Sequence, residues 1–378
     1  MRVSRLKDLT CVSLLLASLS PMYAPQEAAA AVPDSLAVKA NTVMVSPYHA
    51  SDKDLTTAAV SSVGGWQLEY LPGINRTNLL NGRVTGFLGI QHDGELGIES
   101  NSMYIRGLRS ISSDSRQAAI LVDGYVRKDA NRISPADIES VTILKDAAAT
   151  ALYGSEAANG AIIITTKSGE GQDGAVSVTF TSNFVVDQIN SSPDFQYVYG
   201  QGSSKGNDGF HYGDPVDGEG MSTLDVSSWG PKMDGTLYYQ YYDVNRGIGV
   251  DENGARIKTP FVSYGNWFKN FFQNGWTATN TLSVSGKINK NNSIRFSVTD
   301  YRSESIVPNS PWSKQSISLK SSNKVNKWLS MNTSLTYYRK DDDNLPVMGY
   351  GSSSIMYSLW CMAPNIDMNW ARQYWYPG

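Results

Sequence analysis

At 378 residues the chain is long enough for two or three domains, yet only 18% of it is charged, below the roughly 25% usual in soluble domains. A net charge of −3 offers no basic surface for nucleic acid. Two cysteines, Cys11 and Cys361, are too few for a Cys-rich metal site.

In chain order, Arg2, Arg5 and Lys7 precede an apolar stretch, Leu9 to Leu19, and then small residues with cleavage sites after Ala24 or within Ala28–Ala31. This predicts a signal peptide over 1–31. A membrane anchor would need about 20 apolar residues, and Cys11 sits in the wrong place for a lipidated N-terminus. With that segment removed, one thiol remains and no internal disulfide is expected. Residues 32–53 form a polar lead-in that holds Asn41–Pro47 (NTVMVSP). No later segment is apolar enough for a membrane-spanning helix, so any crossing of lipid would require a closed β-barrel.

Residues 54–168 read as a small α/β domain. Ala118–Val122 is an apolar strand closed by the turn dipeptide Asp123-Gly124. Ser134-Pro135 predicts an N-cap and the start of a short helix. Ser140–Lys145 has the β-branched residues of a strand. Asp146 is placed to cap a helix over Ala147–Tyr153, with Gly154 ending it. Ala161–Thr166 (AIIITT) has the length and character of a strand buried on both faces.

From 174 onward the pattern alternates. Val176, Val178 and Phe180 alternate with Ser177 and Thr179, and Phe184 and Val186 return on the same face. Leu282 and Val284, then Ile294, Phe296 and Val298, then Ile317 and Leu319, then Met331, Leu335 and Tyr337 repeat the pattern with small polar or charged neighbours. Such alternation suits a soluble antiparallel sheet wet on one side and equally a membrane barrel, apolar toward lipid and polar toward the lumen. Trp267, Trp276, Trp312, Trp328, Tyr301, Tyr337 and Tyr338 fall near predicted strand ends, where an interfacial girdle belongs, and favour the barrel.

Few groups point to chemistry. Gly169, Gly171 and Gly174 match a dinucleotide-binding spacing, but a strand follows where a helix is required, so the match reads as a connector. His49, His92 and His211 have no ligand spacing. Asp208, Asp214, Asp217 and Glu219 could hold a loop calcium ion, though they fit no known loop pattern and read first as solvated surface. No nucleophile elbow, phosphate loop or catalytic carboxylate pair is present. An enzyme is not expected, nor any cofactor.

The stretch Asp137–Lys167 (DIESVTILKDAAATALYGSEAANGAIIITTK) resembles the plug signature of SusC/RagA-type TonB-linked outer-membrane receptors. Arg106-Gly107, Leu121–Gly124 and Asp54–Val63 match the same domain. Trp229–Gly235, Asn266–Gly275 and Val307–Ser310 resemble stretches early in the family's barrel. The resemblance implies an α+β plug domain over 54–168. An antiparallel transmembrane β-barrel follows from 174 to 378, part of a parent barrel of about 22 strands. It implies a nutrient importer for oligosaccharide or peptide in the outer membrane of a Bacteroidota-type Gram-negative cell. The implied partners are a SusD-like surface lipoprotein, and TonB with its inner-membrane motor. Val43, Met44 and Val45 would be the TonB box, pairing by strand addition. The family's usual Gly-Tyr-Gly after the box is here Ser46-Pro47-Tyr48.

The plug motif then comprises Arg106, Gly107, Asp123, Gly124, Glu139, Tyr153, Gly154, Asn159 and Gly160. Arg106 is expected to pair with a buried acid, Glu139 or one on the barrel, as a latch or as an ordinary structural ion pair. Tyr153, Gly154, Asn159 and Gly160 are expected to shape the turn between the last plug helix and strand. Tyr197, Tyr199, Phe210 and Tyr212 are available to stack on ligand. At about 10 residues per crossing plus loops, 174–378 yields roughly six to eight strands. An eight-stranded barrel is filled by its own side chains and has no room for a plug. The expectation is therefore an N-terminal part of a longer importer. The alternative is a secreted, non-transporting remnant that binds ligand or TonB.

Overall fold

The structure is a computed structural model that describes residues 42–46, 49–52, 58–69, 79–91, 101–108, 117–128, 133–145, 147–169, 175–202, 228–342, 344–347, 351 and 354–372. The chain divides into two units, Met1–Thr42 and Val43–Gly378, and the fold below is that of the second. The predicted signal segment lies outside the described residues.

Strands β1 (Thr42–Ser46) and β2 (His49–Asp52) form a two-stranded sheet. The plug domain follows, with β3 (Val60–Gly64), α1 (Trp66–Glu69), β4 (Phe87–Gln91), β5 (Asn101–Ile105), β6 (Ala119–Val122), β7 (Tyr125–Arg127), β8 (Ile138–Leu144), α2 (Ala147–Tyr153) and β9 (Ala161–Thr166). Its main sheet has the order β3-β8-β9-β6-β7, parallel only between β6 and β9; β4 and β5 form a separate hairpin. Strand β9 lies at the centre. Ile162 and Ile164 face one core, with Leu68, Leu80, Ile105, Ile120 and Ile143. Ala161 and Ile163 face the other, with Leu121, Leu144, Ala149 and Ala157. This is why the AIIITT run lacks polar alternation: both its faces are dry.

The punctuation is partly redistributed. After Ser134-Pro135 the chain makes only a single 3-10 turn, Pro135–Asp137, so β8 begins at Ile138, two residues before the expected start. Ser134 does not cap that turn; its hydroxyl accepts a hydrogen bond from Thr299 Oγ1 at 3.2 Å. Helix α2 spans the predicted residues, but Gly154 opens a further 3-10 turn, Gly154–Ala157, instead of ending the winding. Asp146, the expected cap of α2, lies outside the described residues.

A second five-stranded sheet is antiparallel throughout, in the order β10-β13-β14-β15-β16. Its members are β10 (Val176–Asp187), β13 (Gly275–Asn289), β14 (Asn292–Glu304), β15 (Pro311–Lys324) and β16 (Ser330–Asp342), with short β11 (Leu237–Tyr238) and β12 (Thr259–Pro260) between the first two. Register aligns apolar rows across it: Phe180, Leu282, Val298, Ile317 and Tyr337 in one, Val178, Val284, Phe296, Leu319 and Leu335 in the next. Phe180 is 60% exposed and Phe296 42%. On the opposite face Ser283, Ser297, Thr299, Ser303 and Ser316 are buried. A water-soluble sheet buries its apolar face; this one buries hydroxyls and presents hydrocarbon outward, the polarity of a strand between lipid and lumen.

Among the described residues there are five long strands in 174–378, against an expected six to eight. Much of the difference is spent on a knot beyond the strand ends. Helix α3 (Trp267–Phe271) packs with α4 (Ile355–Cys361) and α5 (Met368–Ala371) around Trp267, Phe268, Phe271, Val307, Leu359 and Met368. Trp267, 3% exposed, therefore belongs to this core and not to an interfacial girdle. Trp312 and Tyr301 are likewise buried, at 4% and 8%, and Tyr338 lies on their face of the sheet. Trp276, Trp328 and Tyr337 are the members of the expected girdle that are exposed. Periodicity alone does not tell which face a strand-end aromatic takes.

Candidate functional site

The plug meets the polar face of the long sheet through two ionic clasps. In the first, Asp137 ends the 3-10 turn before β8. Its carboxylate accepts from Arg295 Nη2 at 3.0 Å and from Ser297 Oγ at 2.9 Å. Arg295 also reaches the Ala136 carbonyl at 3.4 Å, and Thr299 bonds Ser134 one row further along. Arg295 and Asp137 are 8% and 6% exposed, so each charge depends on the other. Removing one partner of such a pair costs about 3–5 kcal/mol, although the intact pair contributes little net stability over an apolar substitute.

The second clasp uses the β6–β7 hairpin. Val122 and Tyr125 pair across a two-residue loop in which Asp123 (φ 47°) and Gly124 (φ 92°) are both left-handed, as a type I′ turn requires. The turn points the Asp123 carboxylate at the end of β9, where it accepts from Thr166 N at 2.9 Å and Thr166 Oγ1 at 2.7 Å. Lys320 of β15 donates to Asp123 at 3.2 Å and to the Thr166 carbonyl at 2.8 Å. This clasp is half-buried and therefore weaker per charge than the first.

The other motif residues take the following places. Arg106 and Gly107 form a left-handed turn, φ 59° and 87°, with the Arg106 amide donating to Gly86 O at 2.7 Å; its side chain is exposed. Glu139 is half-buried, and its carbonyl accepts from Gly65 N at 2.7 Å. Lys145, buried at the end of β8, donates to Ser61 Oγ at 2.7 Å. Burial, and then the Arg106 charge, hold its ammonium below the usual lysine range. Burial also pushes the half-buried Tyr153 phenol up. Gly160 (φ 93°) has no room for a side chain: a Cβ would stand 2.6 Å from Ile105 Cδ1 and 3.0 Å from Leu144 O. Asn159 is half-buried beside it, and Gly154 has φ 69°.

Val43, Met44 and Val45 lie in β1, paired with β2. Tyr197 packs edge-on against Trp267 at 5.7 Å in the outer core, while Tyr199 is 50% exposed. Phe210 and Tyr212 lie outside the described residues, as do Asp208, Asp214, Asp217 and Glu219. A cavity of about 370 Å³ is lined by Gln240, Tyr241, Arg246, Tyr264, Asn365 and Asp367, among others.

Sequence reading did not single out Asp137, Arg295 or Lys320 as contacts. The available signal was a cation on the polar side of a strand rich in Ser and Thr, at Arg295 beside Ser297 and Thr299, and at Lys320 beside Ser316 and Ser318.

A small α/β domain clasped to the polar face of an antiparallel sheet whose other face is apolar defines a fold class: a plug domain seated against part of a β-barrel. A profile of the TonB-dependent Receptor Plug Domain matches residues 52–161. The TonB-dependent receptor SusC of Bacteroides thetaiotaomicron is 36% identical over 177 residues, covering 43% of this chain and 17% of SusC. TonB-dependent receptor P3 of Formosa agariphila is 35% identical over 156 residues, covering 41% of this chain and 14% of that receptor. In solved structures, the RagAB peptide importer in its "open-open" state aligns with 84% of this chain and 34% of its own, with TM-score 0.58 and 22% identity. The "closed-closed" state gives 0.56. Residues 52–161 thus match a TonB-dependent receptor plug domain, and the chain resembles receptors of the SusC/RagA type. It spans about a sixth of SusC and a third of the solved RagAB chain.

Proposed function

We propose that this chain supplies the plug and leading barrel strands of an importer that moves a nutrient, oligosaccharide or peptide, across the outer membrane of a Bacteroidota-type cell. The observation that carries the reading is the pair of clasps. They fix a folded plug on the polar face of a sheet whose opposite face is suited only to lipid. A plug held by two charge pairs and hydroxyl contacts can be displaced at modest cost, whereas one bonded through an apolar interface could not. The signal segment directs export. The β1 strand holding Val43–Val45 is the site where TonB adds its own strand and delivers force, and a SusD-like lipoprotein captures ligand over the barrel mouth. The chain carries out no chemistry of its own.

The test is uptake by cells producing the full receptor. Val45→Pro removes a backbone donor from β1 and prevents strand addition. Uptake is expected to fall to background with ligand binding at the cell surface unchanged. Unaltered uptake would remove Val43–Val45 from the TonB contact.

A further inference from the structure

The two ends of the long sheet differ in charge. All the acids of its five strands, Asp187, Asp300, Glu304, Asp341 and Asp342, lie toward the end with the long connections. At the other end, where β10 enters opposite Gly286, two short turns join β13 to β14 and β15 to β16. From 287 to 293 and from 322 to 332 there is no acid, and there are four lysines. Lys287 and Lys324 belong to the face that meets the plug. Lys290 and Lys327 sit in the turns themselves, exposed, and neither enters an ion pair among the described residues.

Hydrogen bonds tie the turns together. Lys324 N donates to Asn291 O at 2.8 Å, linking one turn to the other. Val325 N and Asn326 N both donate to Leu329 O, at 3.0 and 3.2 Å, and the Asn326 side chain accepts from Trp328 N at 3.0 Å. This closed loop presents Trp328 at 83% exposure, the highest of any large apolar side chain among the described residues. Ile288, Val325 and Leu329 at the same end are exposed as well. Holding an indole in water is unfavourable unless something covers it, and Trp settles where hydrocarbon meets headgroups.

We propose that Lys290, Lys327 and Trp328 form a binding site for the headgroup of an anionic phospholipid in the leaflet around this end of the barrel. On the importer reading, on which this site rests, the chain reaches β10 from the periplasmic side, so this end meets the inner, phospholipid leaflet. The two turns lie about 10 Å apart, twice the strand spacing, and two lysine stems are long enough to converge on one phosphate diester. Each ammonium is drawn to an anionic leaflet, and no acid in either turn competes for it. Trp328 lies against the glycerol and the upper acyl chain and sets the depth.

The full-length receptor in detergent micelles is titrated with dioleoyl phosphatidylglycerol and with dioleoyl phosphatidylcholine, and bound lipids are counted by native mass spectrometry. Phosphatidylglycerol is expected to bind at least fivefold more tightly, with a preference that shrinks as ionic strength rises. Lys290→Gln with Lys327→Gln should bring the two lipids to within about twofold, and the paired arginine substitutions should restore the preference. Trp328→Ala should weaken both lipids several-fold and leave their ratio unchanged. Glycerophosphoglycerol, the same headgroup without acyl chains, should not compete. Equal binding of the two lipids by the unaltered receptor, a preference that survives the glutamine pair, unchanged binding in Trp328→Ala, or displacement by glycerophosphoglycerol would each overturn the site. Lipid binding in micelles needs neither TonB nor nutrient, so failure here leaves the importer reading standing; that reading fails on uptake.

Discussion

The two sheets of this chain bury opposite kinds of side chain. In the plug, Ile143, Leu144, Ile162 and Ile163 are at most 1% exposed. In the long sheet, Ser297, Thr281 and Ser283 are the buried ones, at 2–4%, while Phe180 and Leu335 are about three-fifths exposed. The first sheet is dry on both faces at its centre. The second is built for lipid outside and a polar domain inside. What binds the two is therefore neither an apolar core nor a continuous charge lattice. Two clasps act between rows of small hydroxyls that also bond one another, as Thr281 does to Thr299 at 3.0 Å.

The largest expected effect comes from cutting the buried clasp. Asp137→Ala leaves the Arg295 guanidinium buried without its carboxylate and should destabilise the seated plug by about 3–5 kcal/mol. Arg295→Met alongside it should recover most of that loss. Protease protection of the plug in the detergent-solubilised receptor reads both. If the double variant is as loose as the single one, Asp137 stabilises the plug internally and the clasp is not what holds it.

Next comes a test of the outward face. Phe296→Arg should cost about 2–4 kcal/mol if the residue lies near the middle of the bilayer. An exposed position in water would change stability by less than about 0.5 kcal/mol. Denaturation from lipid vesicles distinguishes the two.

The smallest effect belongs to the half-buried clasp. Lys320→Gln keeps a donor for the Thr166 carbonyl but loses the charge on Asp123, and should cost about 1–2 kcal/mol, in the range of a single charge-assisted hydrogen bond. That loss should shrink as salt rises, whereas the Asp137→Ala loss should not. Equal salt dependence of the two would contradict the difference in burial.

Much of the plug was legible. The β9 run, the Asp123-Gly124 turn and the α2 span all arise from local preferences that the tertiary fold reinforces. The long strands were legible as alternation. Their sidedness was less so, because Trp312 and Tyr301 turn inward while Trp276 turns out, and only pairing register decides which. Ser134 shows the same limit at one residue. Its sequence context reads as a helix cap, and its hydroxyl is taken by Thr299 of a strand far along the chain. The clasps escaped notice for that reason: Asp137 and Arg295 are separated by 158 positions, and no local spacing links them.

The inverted polarity of the long sheet is the point on which the account depends most. Nitroxide labels placed singly along β14, at positions 294 to 299, in the receptor reconstituted with Cys361 replaced, measure it directly. Labels at 294, 296 and 298 should be open to oxygen and closed to a water-soluble nickel chelate, and those at 295, 297 and 299 should be shielded from both. Ready access of the nickel chelate to 294, 296 and 298 would mean that this face meets water, and the barrel assignment would fall.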